Sequence, residues 1–171
     1  MWGKDQLISG STENIIIWNL NDLSIIRKLE GEKNVTNLLI LLDNKLASSS
    51  NDGTIRIWNF ENGDVIHTLK EHSENVNSLS MLKDRVTFRS ASGNTLKLWD
   101  IETGQLMKTL GGHNGEILSL VLLKIGKLAS GSADKTIKIW EHPKLHLIYA
   151  ILKFLIFLLS LYYRLNNLMT K

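Results

Sequence analysis

Leu128-Ala129-Ser130-Gly131-Ser132-Ala133-Asp134-Lys135-Thr136-Ile137-Lys138-Ile139-Trp140 reads as a strand, a tight turn and a second strand that ends on an indole. The same ending recurs upstream as Ile15-Ile16-Ile17-Trp18, Ile55-Arg56-Ile57-Trp58 and Leu96-Lys97-Leu98-Trp99. The four tryptophans stand 40, 41 and 41 residues apart. A fixed period of that size marks a repeat architecture, in which each period is one supersecondary unit and its faces are buried by its neighbours.

Each period divides into four short strand-like runs. One unit reads 35–42, 45–50, 54–59 and 64–70. The next reads 76–82, 85–91, 95–100 and 105–110, and a third begins 117–123, 127–132 and 136–141. Thr54-Ile55-Arg56-Ile57-Trp58 alternates polar and apolar residues, the period of a strand with one buried face. The runs 38–42 and 118–123 are almost continuously apolar, which predicts strands buried on both faces. Asp52-Gly53, Asn62-Gly63 and Thr103-Gly104 supply the left-handed residues that tight hairpins need. At the N-terminal end, 6–10 matches the second strand of a unit and 15–19 the third, with no first strand before them. Short strands, evenly spaced turns and one Trp per unit predict an all-β propeller of about four four-stranded antiparallel blades. The predicted domain spans residues 3–141, with an incomplete unit 3–30 and units 31–70, 71–110 and 111–141.

These units resemble WD40 repeats. Gly112-His113 precedes Trp140-Glu141, and Glu71-His72 precedes Trp99-Asp100, with 27 residues from His to Trp in both. The resemblance covers residues 3–141 and implies a β-propeller that scaffolds protein–protein contacts without catalysis. It also implies a blade-tying network of His, Ser or Thr, Asp and Trp, here His113, Ser130, Asp134 and Trp140, with Ser132 as the alternative serine. A buried indole N–H needs an acceptor, and a His can relay between a hydroxyl and a carboxylate. The other copies depart from the pattern. Asp52 and Trp58 follow Gly31-Glu32 in place of Gly-His; His72 and Trp99 have Gly93 where the Asp belongs. Before Trp18 the Asp position falls on Thr12 or Glu13, according to the alignment used.

His113, Ser130 and Asp134 are also the residue types of a hydrolase triad. That chemistry needs a nucleophile on a strained turn beside an oxyanion hole, whereas Ser130 sits in a strand-like run and no Gly-x-Ser-x-Gly is present. The histidines, His67, His72, His113, His142 and His146, have no metal-ligand spacing, and no phosphate loop is present, so no cofactor is expected. The expected work is binding of other proteins or peptides by loops held on rigid blades. Candidate contact residues are Glu71, Ser73, Glu74, Asn75, Asn94, Asn114, Glu116 and Lys135. The resemblance also admits a substrate-recognition or adaptor subunit of a larger complex, such as a ubiquitin ligase. A propeller-type hydrolase is the alternative from another class.

The 171-residue chain is 43% hydrophobic and has no cysteine, which fits a reducing, cytoplasmic compartment. Met1-Trp2-Gly3-Lys4-Asp5 predicts no secretory leader. The pI of about 9.1 comes from the C-terminal tail. Residues 142–171 hold four of the 20 Lys and Arg and no acidic residue, leaving 16 basic against 17 acidic in residues 1–141. No basic face for nucleic acid is therefore expected. Residues 145–163 are largely apolar over 19 residues, with Lys153 near the middle, roughly 28 Å as a helix, and predict a membrane anchor or a helix or strand packed on the open edge of the propeller. The abrupt loss of Gly, Asp and Glu there, with the absent first strand, also predicts a truncated or frame-shifted fragment. An unclosed arc of blades predicts self-association through bare edges.

Overall fold

The computed structural model describes residues 5–82 and 86–141, which hold fourteen strands and no helix. They form four antiparallel sheets in chain order. The first joins β1 (Gln6–Gly10), β2 (Ile15–Asn19) and β3 (Ile25–Leu29). The second joins β4 (Val35–Ile40), β5 (Lys45–Ser50), β6 (Ile55–Asn59) and β7 (Val65–Leu69). The third joins β8 (Val76–Met81), β9 (Thr87–Ser92), β10 (Thr95–Asp100) and β11 (Leu106–Gly111). The fourth joins β12 (Ile117–Leu122), β13 (Leu128–Ser132) and β14 (Ile137–Trp140). Strands pair with their sequence neighbours throughout, as short hairpin connections require. β3 is a strand that the run-by-run reading passed over, although it lies one period before β7.

Gly53, Gly63 and Gly104 adopt φ of 82°, 88° and 66°, the left-handed conformation that their turns demand. Trp18, Trp58 and Trp99 each sit beside a register shift in the pairing with the strand that follows, at Ile17/Trp18, Ile57/Trp58 and Leu98/Trp99. Such a bulge raises the local twist and re-aims a side chain.

The sheets are joined face to face by apolar contact. Ile15, Ile17 and Leu29 of the first sheet share a buried cluster with Leu46, Trp58 and Phe60 of the second. Ile55, Ile57 and Leu69 of the second share another with Val76, Phe88, Trp99 and Ile101 of the third. Burying one such side chain is worth about 1.5–3 kcal/mol, so these sheet-to-sheet clusters dominate the stability of the stack. At the first strands of the second, third and fourth sheets, polar links supplement them. Thr36 donates to the Val76 carbonyl, Asn77 to the Ile117 carbonyl at 2.9 Å, and the Leu120 N–H to Ser78 Oγ at 3.1 Å.

The prediction that 38–42 and 118–123 are buried on both faces fails. Leu118 and Val121 are more than half exposed, and Ile40 and Leu42 are exposed as well. β8 packs between β4 and β12 and is the first strand with the most buried residues; β12 ends the series and has a neighbour on one side among the described residues. The expected helical segment at 145–163 lies outside the described residues. Among the described residues, no helix is long and apolar enough to cross a membrane.

Candidate functional site: the serine networks and the loop edge

In the first three sheets, the strand before the Trp-bearing strand carries a serine that accepts from the indole. Trp18 donates its Nε1–H to Ser9 Oγ at 2.8 Å, Trp58 to Ser48 at 2.8 Å and Trp99 to Ser90 at 2.7 Å. Trp140 closes β14. What completes each network differs from sheet to sheet.

In the fourth sheet, His113 bridges β13 and the turn that follows it. Its Nε2 lies 2.8 Å from Ser130 Oγ and its Nδ1 2.7 Å from Asp134 Oδ2. The carboxylate can only accept, so it holds the proton on Nδ1 and leaves Nε2 to accept the Ser130 hydroxyl. Asp134 also accepts the Thr136 hydroxyl and amide at 2.6 and 2.9 Å, and the Asn114 amide at 3.0 Å. Led by the Thr136 hydroxyl, these bonds hold its carboxyl well below the usual carboxylate range. Ser132, the alternative serine, serves the turn: it donates to the Gly115 carbonyl and accepts the Asp134 amide.

The third sheet lacks the carboxylate. His72 Nε2 lies 2.6 Å from Ser90 Oγ, and its ring meets the Trp99 indole edge to face at 6.1 Å. Gly93 stands in the Asp position, and a side chain there would collide with the Glu74 carboxylate. Burial, with a smaller push from Lys97, lowers the His72 pKa to about 4, so the ring is neutral at pH 7.

The second sheet has a different solution, which the search for His-Ser-Asp-Trp missed. Glu32, at the His position, is fully buried; it accepts the Ser48 hydroxyl and pairs with Arg56. Burial raises the Glu32 pKa against the opposing pull of Ser48 and Arg56. The signal was present in the sequence as a Glu at the register of His72 and His113. Asp52 stays in the turn, bonded to Thr54. In the first sheet, Ser11 Oγ accepts the Glu13 amide as Ser132 accepts that of Asp134, which places Glu13 rather than Thr12 at the Asp register.

Ser130, Ser90 and Ser48 are all buried within strands. A hydroxyl so placed can tie strands together but cannot attack a substrate bound from solvent. Among the described residues, no group of three or more His, Asp or Glu could hold a metal; His142 and His146 lie outside them. Glu71, Ser73, Glu74, Asn75, Asn94, Asn114, Glu116 and Lys135 are all exposed. They flank the buried histidines on the loops before the first strands and on the turns between second and third strands. Glu116 is engaged with Asn77 at 2.8 Å; Lys135 holds φ of 66°.

Comparison with known proteins agrees with this layout. The chain has 30% identity to the crystal structure of the computationally designed Ika4 protein, at a TM-score of 0.72, covering 81% of this chain and 86% of that one. It superposes on the WD40 β-propeller domain of Doa1 at 24% identity and TM-score 0.74, covering 84% of this chain and 49% of that one. The computationally designed Ika8 protein matches at 30% identity and TM-score 0.72, over 83% of this chain and 44% of that one. The chain thus spans about half of the Doa1 and Ika8 chains. No curated protein sequence matches it. The family model described as "WD domain, G-beta repeat" matches residues 23–59, 63–100 and 104–141, more than half of the chain. Each matched stretch starts at or just before the fourth strand of one sheet and ends with the third strand of the next, so the indoles of β6, β10 and β14 close all three. With that register and the serine-anchored tryptophans in hand, the chain belongs to the WD40 repeat family.

Proposed function

We propose that the chain is a non-catalytic WD40 scaffold that binds other proteins or peptides at the loop edge carrying Glu71, Ser73, Glu74, Asn75, Asn94, Asn114 and Lys135. The observation that carries this reading is the burial of every His-Ser network beneath that edge. The polar groups that could do chemistry are spent on holding the loops, and the loops remain exposed. Rigid positioning of exposed loops lowers the ordering cost of binding. The absence of cysteine supports a cytoplasmic setting.

Two experiments test the proposal. His113→Ala should lower the melting temperature, because it removes the buried ring that links Ser130 to Asp134. Loss of a hydrolytic activity at unchanged melting temperature would refute the non-catalytic reading. For the loop edge, affinity capture with the full chain should lose its specific proteins on combined charge reversal of Glu71 and Glu74. The same proteins should persist with reversal of Asp64, on a turn between third and fourth strands. Equal capture by both variants would refute the assignment of the edge.

A further inference from the structure

The networks of the third and fourth sheets differ by an exchange across one contact. In the fourth sheet, Gly115 lies two residues after His113, and a methyl group added there would stand 2.8 Å from the Asp134 amide nitrogen. In the third, Glu74 lies two residues after His72, and a methyl group added to Gly93 would stand 2.9 Å from its carboxylate. The acidic residue has moved from the turn to the loop that carries the histidine. The turn is also shorter: Gly93-Asn94 separates Ser92 from Thr95, where Ala133-Asp134-Lys135 separates Ser132 from Thr136.

The exchange leaves the His72 ring engaged on one side. Ser90 Oγ accepts the Trp99 N–H, and among the described residues its own proton has one acceptor, His72 Nε2 at 2.6 Å. The neutral ring therefore carries its proton on Nδ1. His113, docked on Ser130 in the same way, presents Nδ1 to the turn that follows β13, 2.7 Å from Asp134. By the same docking His72 presents Nδ1 to the Gly93 turn, which has no side chain to receive it. Thr95, the counterpart of Thr136, spends its hydroxyl on the Ser92 carbonyl at 3.2 Å. No described residue accepts from Nδ1, although His72 is only 9% exposed. The exposed Glu74 carboxylate against Gly93 likewise makes no hydrogen bond or ion pair among the described residues. A buried donor without an acceptor favours a ligand that brings one.

We propose that this notch binds an extended basic peptide segment of a partner protein. One main-chain carbonyl of the segment accepts from His72 Nδ1–H, and a neighbouring Lys or Arg side chain pairs with Glu74. The proposal rests on the loop-edge reading and gives that edge its partner chemistry. The absent Cβ of Gly93 lets a main chain approach the ring. An incoming carboxylate would meet the Glu74 charge, whereas a carbonyl beside a cation meets complementary charge at both points. Glu71, exposed on the same loop, adds to its negative charge. The fourth sheet has no such notch, because Asp134 already receives the His113 proton.

The test is selection of a random heptapeptide phage library on the full chain, followed by NMR titration of a selected peptide into isotope-labelled protein. Lys and Arg should be enriched, and the peptide should shift the His72 Nδ1 proton and nitrogen resonances. Glu74→Gln, at an exposed position, should weaken binding on the order of tenfold, the worth of one charge-assisted hydrogen bond, and abolish the basic preference. Asp64→Asn, on a turn between third and fourth strands, should leave binding unchanged. Failure to select any peptide, selected peptides without basic residues, a His72 ring left unmoved, or an equal loss in Asp64→Asn would each overturn the proposal. Shifts confined to Asn114 and Lys135, on the fourth sheet, would overturn the notch and leave the loop-edge reading standing. Shifts confined to the residues around Asp64 would overturn both.

Discussion

Replacing Ser90 with Ala should destabilise the chain far more than replacing Ser9 with Ala, although both serines accept an indole N–H. Ser90 Oγ serves two buried groups, the Trp99 N–H at 2.7 Å and His72 Nε2 at 2.6 Å. Ser9 Oγ serves Trp18 at 2.8 Å, and Trp18 is half-buried. A buried polar group stripped of its partner costs about 1–3 kcal/mol, so two of them give about 2–6 kcal/mol for Ser90→Ala. Water can reach the half-buried Trp18, which leaves about 0.5–1.5 kcal/mol for Ser9→Ala, the net worth of one hydrogen bond. Urea denaturation followed by Trp fluorescence, extrapolated linearly, measures both differences at an unchanged slope. A loss below about 1 kcal/mol for Ser90→Ala, or equal losses for the two variants, would show that the serines do not anchor the sheets as argued.

Three further outcomes follow from the other networks. His72 has a folded pKa of about 4 against 6.5 in the unfolded chain, so the unfolded state takes up the proton first. Its contribution is complete above pH 6.5 and is lost as pH falls toward 4, by up to about 3 kcal/mol; the pH-dependent difference in stability between the parent and His72→Gln reads it, and a flat difference over that window refutes it. Glu32→Ala strips the Ser48 hydroxyl and Arg56 of their partner and should cost about 2–4 kcal/mol, while Glu32→Gln, which keeps an acceptor for Ser48, should cost less by urea midpoint. Gly104→Ala faces both φ of 66° and the His67 ring, 2.8 Å from the added methyl. It should cost about 1–3 kcal/mol, of which the part due to the ring disappears in the His67→Ala background by double-mutant cycle.

The strands and turns were legible because they rest on local signals. Asp52-Gly53 and Thr103-Gly104 state their backbone conformation outright, and Ile55-Arg56-Ile57-Trp58 states its period. The burial of β12 was not legible, because a strand cannot specify whether a sheet lies beyond it; Leu118 and Leu122 read alike in sequence whichever neighbour is present. The Glu32 network was hidden for a different reason. Function in these networks belongs to a position, an acceptor beneath the second-strand serine, and a search by residue type passes over a carboxylate that fills the place of an imidazole. The choice between Ser130 and Ser132 could not be read from strand parity, which the two share; their positions along β13 separate them, Ser130 beside His113 and Ser132 at the turn.

The offset between the sequence repeat and the sheet has a consequence for how such chains change length. Residues 63–103, one full period of 41, run from the turn before β7 to the turn before β11, so their loss would join Asn62 to Gly104 at equivalent points of the two turns. The sheet left behind would be β4, β5, β6 and β11, still four strands with a fourth-strand edge of the usual kind. A whole period can thus be gained or lost by a single recombination between two equivalent turns. No sheet is left without an edge strand, and no indole is parted from its serine. Units cut at the sheet boundaries instead would come apart along the apolar faces, with no covalent strand crossing the break.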